Sequence, residues 1–487
     1  MFWRMGKCFR EYRPEQALLL PPSLEDWLPE GHLARFLSEV VGELDLRPIY
    51  QSYEEKDGRG QAAYEPLMML KVLFYGYSIG IVSSRRMEKA SYENVAFRYL
   101  AANQHPDHDT LAEFRRRHLT AMAALFVQVL RLCQQAGLVK LGHVALDGTK
   151  IKAHASRYRN RSYARLSAEE KELAEQVEGM LAEAERVDRA EDQQHGRGRR
   201  GDELPPELAQ RETRLRKIRE AKAELERQAR QQAEEKKANL ERRLRERQQK
   251  ALATGRPMRG KLPALPDPAT AQPKPQAVVN LTDSDSRLMR EGGSRSFVQA
   301  FNAQAAVDGH RQVIVAADVT SQQGDRAQLV PMLQQVEQNT GAKPEKVTAD
   351  TGYYSPHQVW SPDLTGIDLY VKPDRGPKKY QPSPAAATDP GAPPPRKQKW
   401  RLRCGYDARG VPRIEPLRAK LASAEGQAIY KKRREIVEPV FGQIKQGRCL
   451  RQFLLRGLDK ARAEWKLICL THNLLKLYRV GWSPQGA

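Results

Sequence analysis

Acidic residues at three places in this 487-residue chain stand where they could support metal-dependent chemistry. Asp147 follows the apolar residues "VAL", and Asp350 follows the short strand-like stretch "KVTA"; a glycine comes close behind each. A basic segment downstream, "YKKRREIVEPVFGQIK", carries Glu435 and Glu438. Mg²⁺ prefers oxygen ligands and is usually held by a few carboxylates together with the phosphates of its substrate. Three carboxylates brought together among lysines and arginines would suit an in-line displacement at phosphorus.

The dipeptide Asp147-Gly148 has two interpretations that the residues alone leave open. Asp-Gly between two strand-like runs is a strong signal for a tight β-hairpin, in which both residues take positive φ. The carboxylate would then serve only the turn. In the other interpretation, Asp147 ends a core strand and is presented to a metal ion and a phosphate.

An apolar stripe predicts which glutamate of the basic segment is the third acid. On one α-helix at ~100° per residue, a buried face would consist of four residues: Val437, Val440, Phe441 and Ile444. Glu438 borders that face, with Arg434 and Lys445 on the same side, whereas Glu435 points farther toward solvent. We therefore expect Glu438 to be the acid at the site, although Pro439 would kink a continuous helix.

The charge of the chain predicts a polyanionic partner. Lys and Arg number 82 against 60 Asp and Glu, a formal net charge of +22, so nucleic acid is expected first and an anionic membrane second. Lys150 and Lys152, just beyond the first acid, are candidate contacts to a phosphate backbone. The longest apolar run, residues 67–82, contains Lys71 and is too short to span a bilayer, which predicts a buried helix.

Targeting signals and cysteine usage point to a soluble cytoplasmic protein. No stretch near the amino terminus predicts a signal peptide. The five cysteines are scattered without a C-x-x-C pair, which is typical of a reducing compartment.

Residues 1–140 are predicted to form an all-helical domain. One helix is expected to begin at Pro66 and another at a Thr110–Glu113 capping box, with Gly137 ending the second. Four arginines of this region are candidate DNA contacts in a helix-turn-helix-like arrangement: Arg85, Arg86, Arg115 and Arg116. A plain helical bundle with a solvated basic face is an equally good interpretation.

The remainder of the chain predicts a sheet domain interrupted by a helical insertion. Residues 141–162 and 278–480 contain short strand-like runs, including a hairpin at Asp308-Gly309, and helices, which indicates a mixed sheet with helices packed on it. Residues 163–254 predict an antiparallel coiled-coil hairpin whose charges form a solvated face, with DNA or dimer contact as the less favoured role. Its first helix has an apolar heptad: Leu166, Leu173, Met180 and Val187. Residues 255–277 and 373–399 are predicted Pro-rich linkers.

Several blocks together resemble one known family. "DGTKIKA", "SFVQAFNAQAAVDGHRQVIVAADVT", "ADTGYYS" and "YKKRREIVEPVFGQIK" are similar to bacterial insertion-sequence transposases of the DDE class, in the subgroup with a Tyr-Arg-Glu-Lys signature. "LLPPSLEDWLPEGHLARF", "YEPLMMLKVLFYG" and "PDHDTLAEFRRRH" resemble the helical DNA-binding domain of the same proteins. The resemblance covers nearly the whole chain apart from the insertion and the linkers.

The resemblance implies an α+β or α/β fold with an RNase H-like mixed sheet flanked by helices. Asp147, Asp350 and Glu438 would hold Mg²⁺ or Mn²⁺ and catalyse DNA cleavage and strand transfer. Three signature positions would contact the transposon end: Tyr430, Arg434 and Lys445. Three residues rather than two separate Tyr430 from Arg434; choosing Arg433 restores that gap and alters the next.

The resemblance also implies partners and a location. The partners would be double-stranded DNA, as the terminal inverted repeats of the element and its target, and a second copy of the chain on paired ends, with no membrane. A bacterial, nucleoid-associated cytoplasmic protein is expected. The alternatives are a transposase-derived protein that binds DNA without catalysis and a metal-dependent nuclease without strand transfer.

Overall fold

A computed structural model describes residues 23–54, 62–195, 206–254, 263–291, 296–373 and 415–484. The chain forms two compact units, one of Met1–Ala121 with Leu477–Ala487 and one of Met122–Lys476. Beyond its first residue, the predicted linker 373–399 lies outside the described residues.

The first unit is helical in its described part. Its helices are α1 (Leu33–Gly42), α2 (Arg47–Glu54), α3 (Pro66–Ile79), α4 (Ser84–Glu93), α5 (Val95–Leu100) and the beginning of α6 (His108–Gln135). Helix α3 is buried over most of its length and begins at Pro66, which confirms both predictions for this segment. Among the described helices, none is by itself long and apolar enough to cross a membrane; α3 and α4 pass that test only as a pair bent by 101°.

Helix α6 begins earlier than its predicted capping box. The carboxylate of Asp107 accepts hydrogen bonds from the backbone N–H of Thr110 at 2.8 Å and from its hydroxyl at 2.8 Å. Asp107 therefore caps the first turn, and Glu113 instead pairs with Arg116. Gly137, with φ +69°, follows the helix end as predicted.

The second unit is built on a mixed sheet, as predicted. Its described strands are β1 (His143–Lys152), β2 (Asn160–Ser162), β3 (Val278–Asn280), β4 (Arg287–Arg290), β5 (Phe297–Asp308), β6 (Ile314–Thr320), β7 (Lys346–Ala349) and β8 (Asp368–Val371). The order across the sheet is β4-β5-β1-β7-β8, with β6 also paired to β5. Strands β1, β7 and β8 are parallel, whereas β5 is antiparallel to β1, β4 and β6.

The two Asp-Gly dipeptides have different structures. Strand β1 runs without a turn through Asp147 and Gly148, which pair with Ala305 and Gln304 of β5, so the hairpin interpretation of this stretch is wrong. The predicted hairpin at Asp308-Gly309 is confirmed, because β5 ends at Asp308 and pairs with β6 after a short loop.

Two long helices lie between β2 and β3 along the chain. They are α7 (Tyr163–His195) and α8 (Pro206–Thr254). They are antiparallel, because Glu170 pairs with Lys222 at 2.8 Å while Gln176 accepts from Arg211 at 3.3 Å. Their buried cluster includes Leu166, Leu173, Val177, Leu215, Ile218, Ala221 and Leu225, with Met180 partly buried. The side chain of Val187, the last heptad residue, is not among those that the structure describes.

Helices also pack on the sheet. They are α9 (Leu329–Thr340), α11 (Glu415–Ala422), α12 (Ala424–Gly442) and α13 (Leu458–Arg479). The short helix α10 (Pro356–Val359) contacts α9. The predicted buried stripe is confirmed: Val437, Val440 and Phe441 of α12 and Ile444 just beyond its end are all buried.

Helix α12 continues through Pro439 instead of breaking there. Proline has no N–H to donate to the carbonyl four residues earlier. That carbonyl, of Glu435, accepts a hydrogen bond from Gln312 Nε2 at 2.9 Å, which replaces the missing helical bond. After Gly442 the chain makes a π-helical turn, Gln443–Gly447, so the ideal-helix placement of Lys445 does not hold.

The pairing of β2 with β3 predicts that the insertion can be removed. Ser162 and Val278 are antiparallel partners, so an Asn-Gly turn replacing residues 163–277 would join them as a two-residue hairpin loop. With Val279→Thr to replace a side chain that packs on the helices, we expect cooperative thermal unfolding to persist, because the shorter connection costs little entropy. Near-UV circular dichroism monitors the unfolding. Loss of the cooperative transition in the deletion variant would show that the insertion belongs to the core.

Candidate active site

Asp147 and Asp350 lie side by side at one edge of the sheet. Leu146 of β1 and Ala349 of β7 are paired in parallel register, and each is followed directly by its aspartate. Strand β7 ends there while β1 continues along β5, which opens the sheet beside the two carboxylates. The structure thus brings together the two acids that the sequence places after strands.

Arg433 of α12 forms an ion pair with the first of these acids. Its Nη1 lies 3.1 Å from Asp147 Oδ2, and the side chains are only 11% and 22% exposed. Burial raises the pKa of Asp147 to about 6; Arg433 opposes that rise in pKa, and Asp350 adds to it. The pKa of Asp350 is also raised, first by burial and second by repulsion from Asp325. The site is therefore crowded with negative charge even with Arg433 in place.

Asp325, on the loop between β6 and α9, is the acid that sequence reasoning missed. Its Oδ1 accepts hydrogen bonds from Asn302 Nδ2 and Gln304 Nε2, both at 2.7 Å. Its segment "SQQGDRAQ" resembles an ordinary polar loop. The available signal was the pair of amides in "FNAQAA", because polar side chains buried on a central strand need partners.

Two glycines border the carboxylate of Asp325. A Cβ on Gly148 would lie 2.5 Å from Gln304 Nε2 and 2.8 Å from Asp325 Oδ1. A Cβ on Gly352 would lie 3.0 Å from Asp350 Oδ1 and 3.1 Å from Asp325 Oδ2. The glycines that follow the two strand acids therefore leave room for a third carboxylate.

Glu438 is placed differently from the aspartates. Its side chain is 56% exposed and its Oε1 lies 3.8 Å from Arg434 Nε, one helical turn earlier. Glu435 is also exposed. Across the described ranges, no three His, Cys, Asp or Glu side chains are arranged so that they could hold a metal ion as they stand.

The predicted basic contacts occupy different positions around the acids. Lys445 Nζ donates to Thr149 Oγ1 at 3.1 Å and to the carbonyl of Lys150 at 3.2 Å. Lys150 Nζ donates to the Gln323 carbonyl at 2.7 Å, and the pKa of Lys150 is lowered by burial. Lys152 is exposed. Tyr430 is half-buried, with the Arg433 guanidinium 6.0 Å from its ring centre.

A basic cavity of 690 Å³ opens beside Asp350. Its polar and charged lining residues are Asp350, Thr351, Lys372, Arg418, Gln427, Tyr430, Lys431, Arg433 and Arg434. Five of these side chains are cationic, against a single carboxylate. Such a lining suits a phosphate group, which Arg and Lys bind through charge-assisted hydrogen bonds.

The arginines of the helical unit divide into exposed and buried residues. Arg85 and Arg86 are exposed on α4, and Arg116 is exposed beside Glu113. Arg115 is buried and donates to the Val82 carbonyl at 2.8 Å and to Ser84 Oγ at 3.3 Å. Contrary to the expectation from sequence, this guanidinium holds a loop within the unit and is not presented to DNA.

Two family comparisons match this chain. Residues 22–117 match a family described as Transposase domain (DUF772), and residues 413–478 match one described as Transposase DDE domain. Together the two descriptions indicate a transposase. Comparison with curated proteins and with solved structures gives no match.

Arg433 and Arg434 form a matched pair for testing which arginine serves the site. Arg433→Gln leaves the partly buried Asp147 without its ion pair, so we expect it to lower the free energy of unfolding by about 2–3 kcal/mol. Arg434, 77% exposed, should change it by less than about 0.5 kcal/mol as Gln. Urea unfolding measures both; equal effects would contradict the assignment of Arg433 to the site.

Proposed function

We propose that this chain is a DDE transposase that cuts DNA at the ends of an insertion sequence and joins the freed ends to a target. The observation that carries the proposal is the adjacency of Asp147 and Asp350, which directly follow the paired residues Leu146 and Ala349 of a mixed sheet, beside a basic cavity. The two transposase domain matches cover neither aspartate, so they support the proposal independently.

The donor groups at the site fit a hard divalent cation. Asp147, Asp350 and Asp325 offer only oxygen, which Mg²⁺ and Mn²⁺ prefer. The pKa values of Asp147 and Asp350 are raised by burial and by their acidic neighbours, and a cation held between such groups relieves that repulsion. We propose that Asp147 and Asp350 hold the metal, with Glu438 as the third acid expected from the Tyr-Arg-Glu-Lys signature. When bound, Mg²⁺ supplies charge neutralisation at the phosphate and activation of the attacking oxygen.

The protein side chains then position the DNA. Lys372, Lys431 and Arg433 line the cavity beside Asp350 and would hold the phosphate on either side of the scissile bond. Tyr430 and Arg434 line the same cavity, and we propose that they contact the element end. Catalysis of this kind depends on positioning and charge neutralisation rather than on a covalent protein nucleophile. The mixed sheet, with one acid directly after each of the paired parallel residues Leu146 and Ala349, supports the RNase H-like assignment.

DNA binding is proposed to extend over further basic surfaces. The exposed Arg85 and Arg86 would contact DNA from the helical unit, and Lys152 from the end of β1. A cavity of 1080 Å³ at the base of the insertion is also basic. Its cationic lining residues are Arg159, Arg161, Arg214, Lys217 and Arg456. Binding of two element ends by two copies of the chain remains a proposal drawn from the family resemblance.

The function is tested by incubating the full chain with duplex DNA that carries the element ends, with Mg²⁺ or EDTA. We expect Mg²⁺-dependent strand cleavage followed by joined products, scored on denaturing gels. Asp147→Asn and Asp350→Asn should abolish cleavage and retain binding of the ends in a gel-shift assay. Cleavage that proceeds in EDTA would contradict the metal-dependent mechanism, and cleavage without joining would favour a nuclease.

A second pair of variants tests which glutamate is the third acid of the site. Glu438→Gln should abolish cleavage, and Glu435→Gln should stay within about tenfold of wild type, a barrier change near 1.4 kcal/mol. The reverse pattern would move the third signature acid to Glu435.

A further inference from the structure

We propose that Asp325 is a ligand of the divalent metal, sharing the ion with Asp350 next to Asp147. The inference rests on the proposed metal-dependent function and names a residue that the family signature does not contain. It is carried by three independent features: the orientation of the carboxylate, the space that two glycines leave for it, and an unpaired oxygen beside it.

Hydrogen bonds fix the orientation of the Asp325 carboxylate. Asn302 and Gln304 both donate to Oδ1, and the Tyr353 hydroxyl donates in turn to Gln304 Oε1. All three donors are fully buried, so the carboxylate is held by a rigid set of neighbours. Oδ2 faces the position beside Gly352 that Asp350 Oδ1 also faces. Carboxylates that bind metal ions are commonly oriented by such hydrogen bonds from neighbouring groups.

The glycine positions show that the two carboxylates lie near a common point. The Cβ position of Gly352 lies 3.0 Å from Asp350 Oδ1 and 3.1 Å from Asp325 Oδ2, which limits the separation of these oxygens to about 6 Å. Two carboxylates at such a distance repel each other. A cation between them would turn that repulsion into attraction, and Mg²⁺ typically takes one or two carboxylates together with water and phosphate.

Asn302 supplies a separate indication of a cation. The residue is fully buried, and its Oδ1 has no hydrogen-bond partner. This oxygen lies 3.0 Å from the Cβ position of Gly148, next to Asp325 Oδ1. An acceptor left unpaired in the interior costs about 1–3 kcal/mol. A bound cation, or a water held by one, would satisfy this oxygen.

The test is Mn²⁺ binding by the full chain without DNA, measured by the loss of the free-ion EPR signal. We expect Asp325→Asn to weaken Mn²⁺ affinity by at least about tenfold, because the amide preserves the shape and removes the charge. Asp459→Asn, which changes a 97% exposed carboxylate, is the matched control and should leave affinity unchanged. Unchanged affinity in a folded Asp325→Asn variant would overturn the inference, since a purely structural Asp325 predicts that result.

A glycine pair provides a second test if Asp325→Asn fails to fold. Gly148→Ala should displace Asp325 and weaken Mn²⁺ binding, whereas Gly324→Ala, adjacent to Asp325 with nothing within 4 Å of its Cβ position, should not. Equal affinities in these two variants would count against Asp325. Asp147→Asn and Asp350→Asn, measured in parallel, separate the two proposals: if they lose Mn²⁺ and Asp325→Asn retains it, only this inference fails. No Mn²⁺ binding by the wild type would contradict the proposed function itself.

Discussion

Repulsion among carboxylates crowded at one edge of a sheet is the constraint around which the site is built. The negative charge of Asp147 is offset by Arg433, whose largely buried guanidinium forms an ion pair with it. Asp350 accepts the backbone N–H of Gly352 at 2.8 Å, and Asp325 accepts two side-chain amides from β5. Each acid thus has a separate source of compensation. The remaining negative charge would favour a bound cation, which the proposed metal-dependent phosphoryl transfer requires.

The same constraint accounts for the glycines of the two acidic motifs. In an isolated stretch, glycine after aspartate indicates a turn, because both residues tolerate positive φ. Here Gly148 lies within a continuous strand, and its missing side chain admits Asp325 and Gln304. The same Asp-Gly dipeptide can therefore mark either a turn or a close packing contact within a strand. Only the position of the neighbouring strand shows which of the two is present.

Features set by local periodicity could be predicted from the sequence. The buried stripe of α12, the helix at Pro66, the hairpin at Asp308-Gly309 and the mixed sheet follow from residues close together in the chain. Features set by distant partners could not. Arg115 is buried because it donates to the carbonyl of Val82, which is 33 residues away in the chain. The cap of α6 is a different case, because Asp107 and Thr110 are close together and either could have begun the helix. Arg433 and Arg434 differ by one position, and the approach of α12 to β1 decides which of them reaches Asp147.

The most direct measurement is the anomalous diffraction of crystals of the full chain soaked in Mn²⁺. A peak bonded to carboxylate oxygens of Asp147 and Asp350, with Asp325 adjacent to it, is the predicted result. A peak held elsewhere, or none at this edge of the sheet under conditions in which the protein cleaves DNA, would contradict the assignment of this site as the metal-dependent active centre.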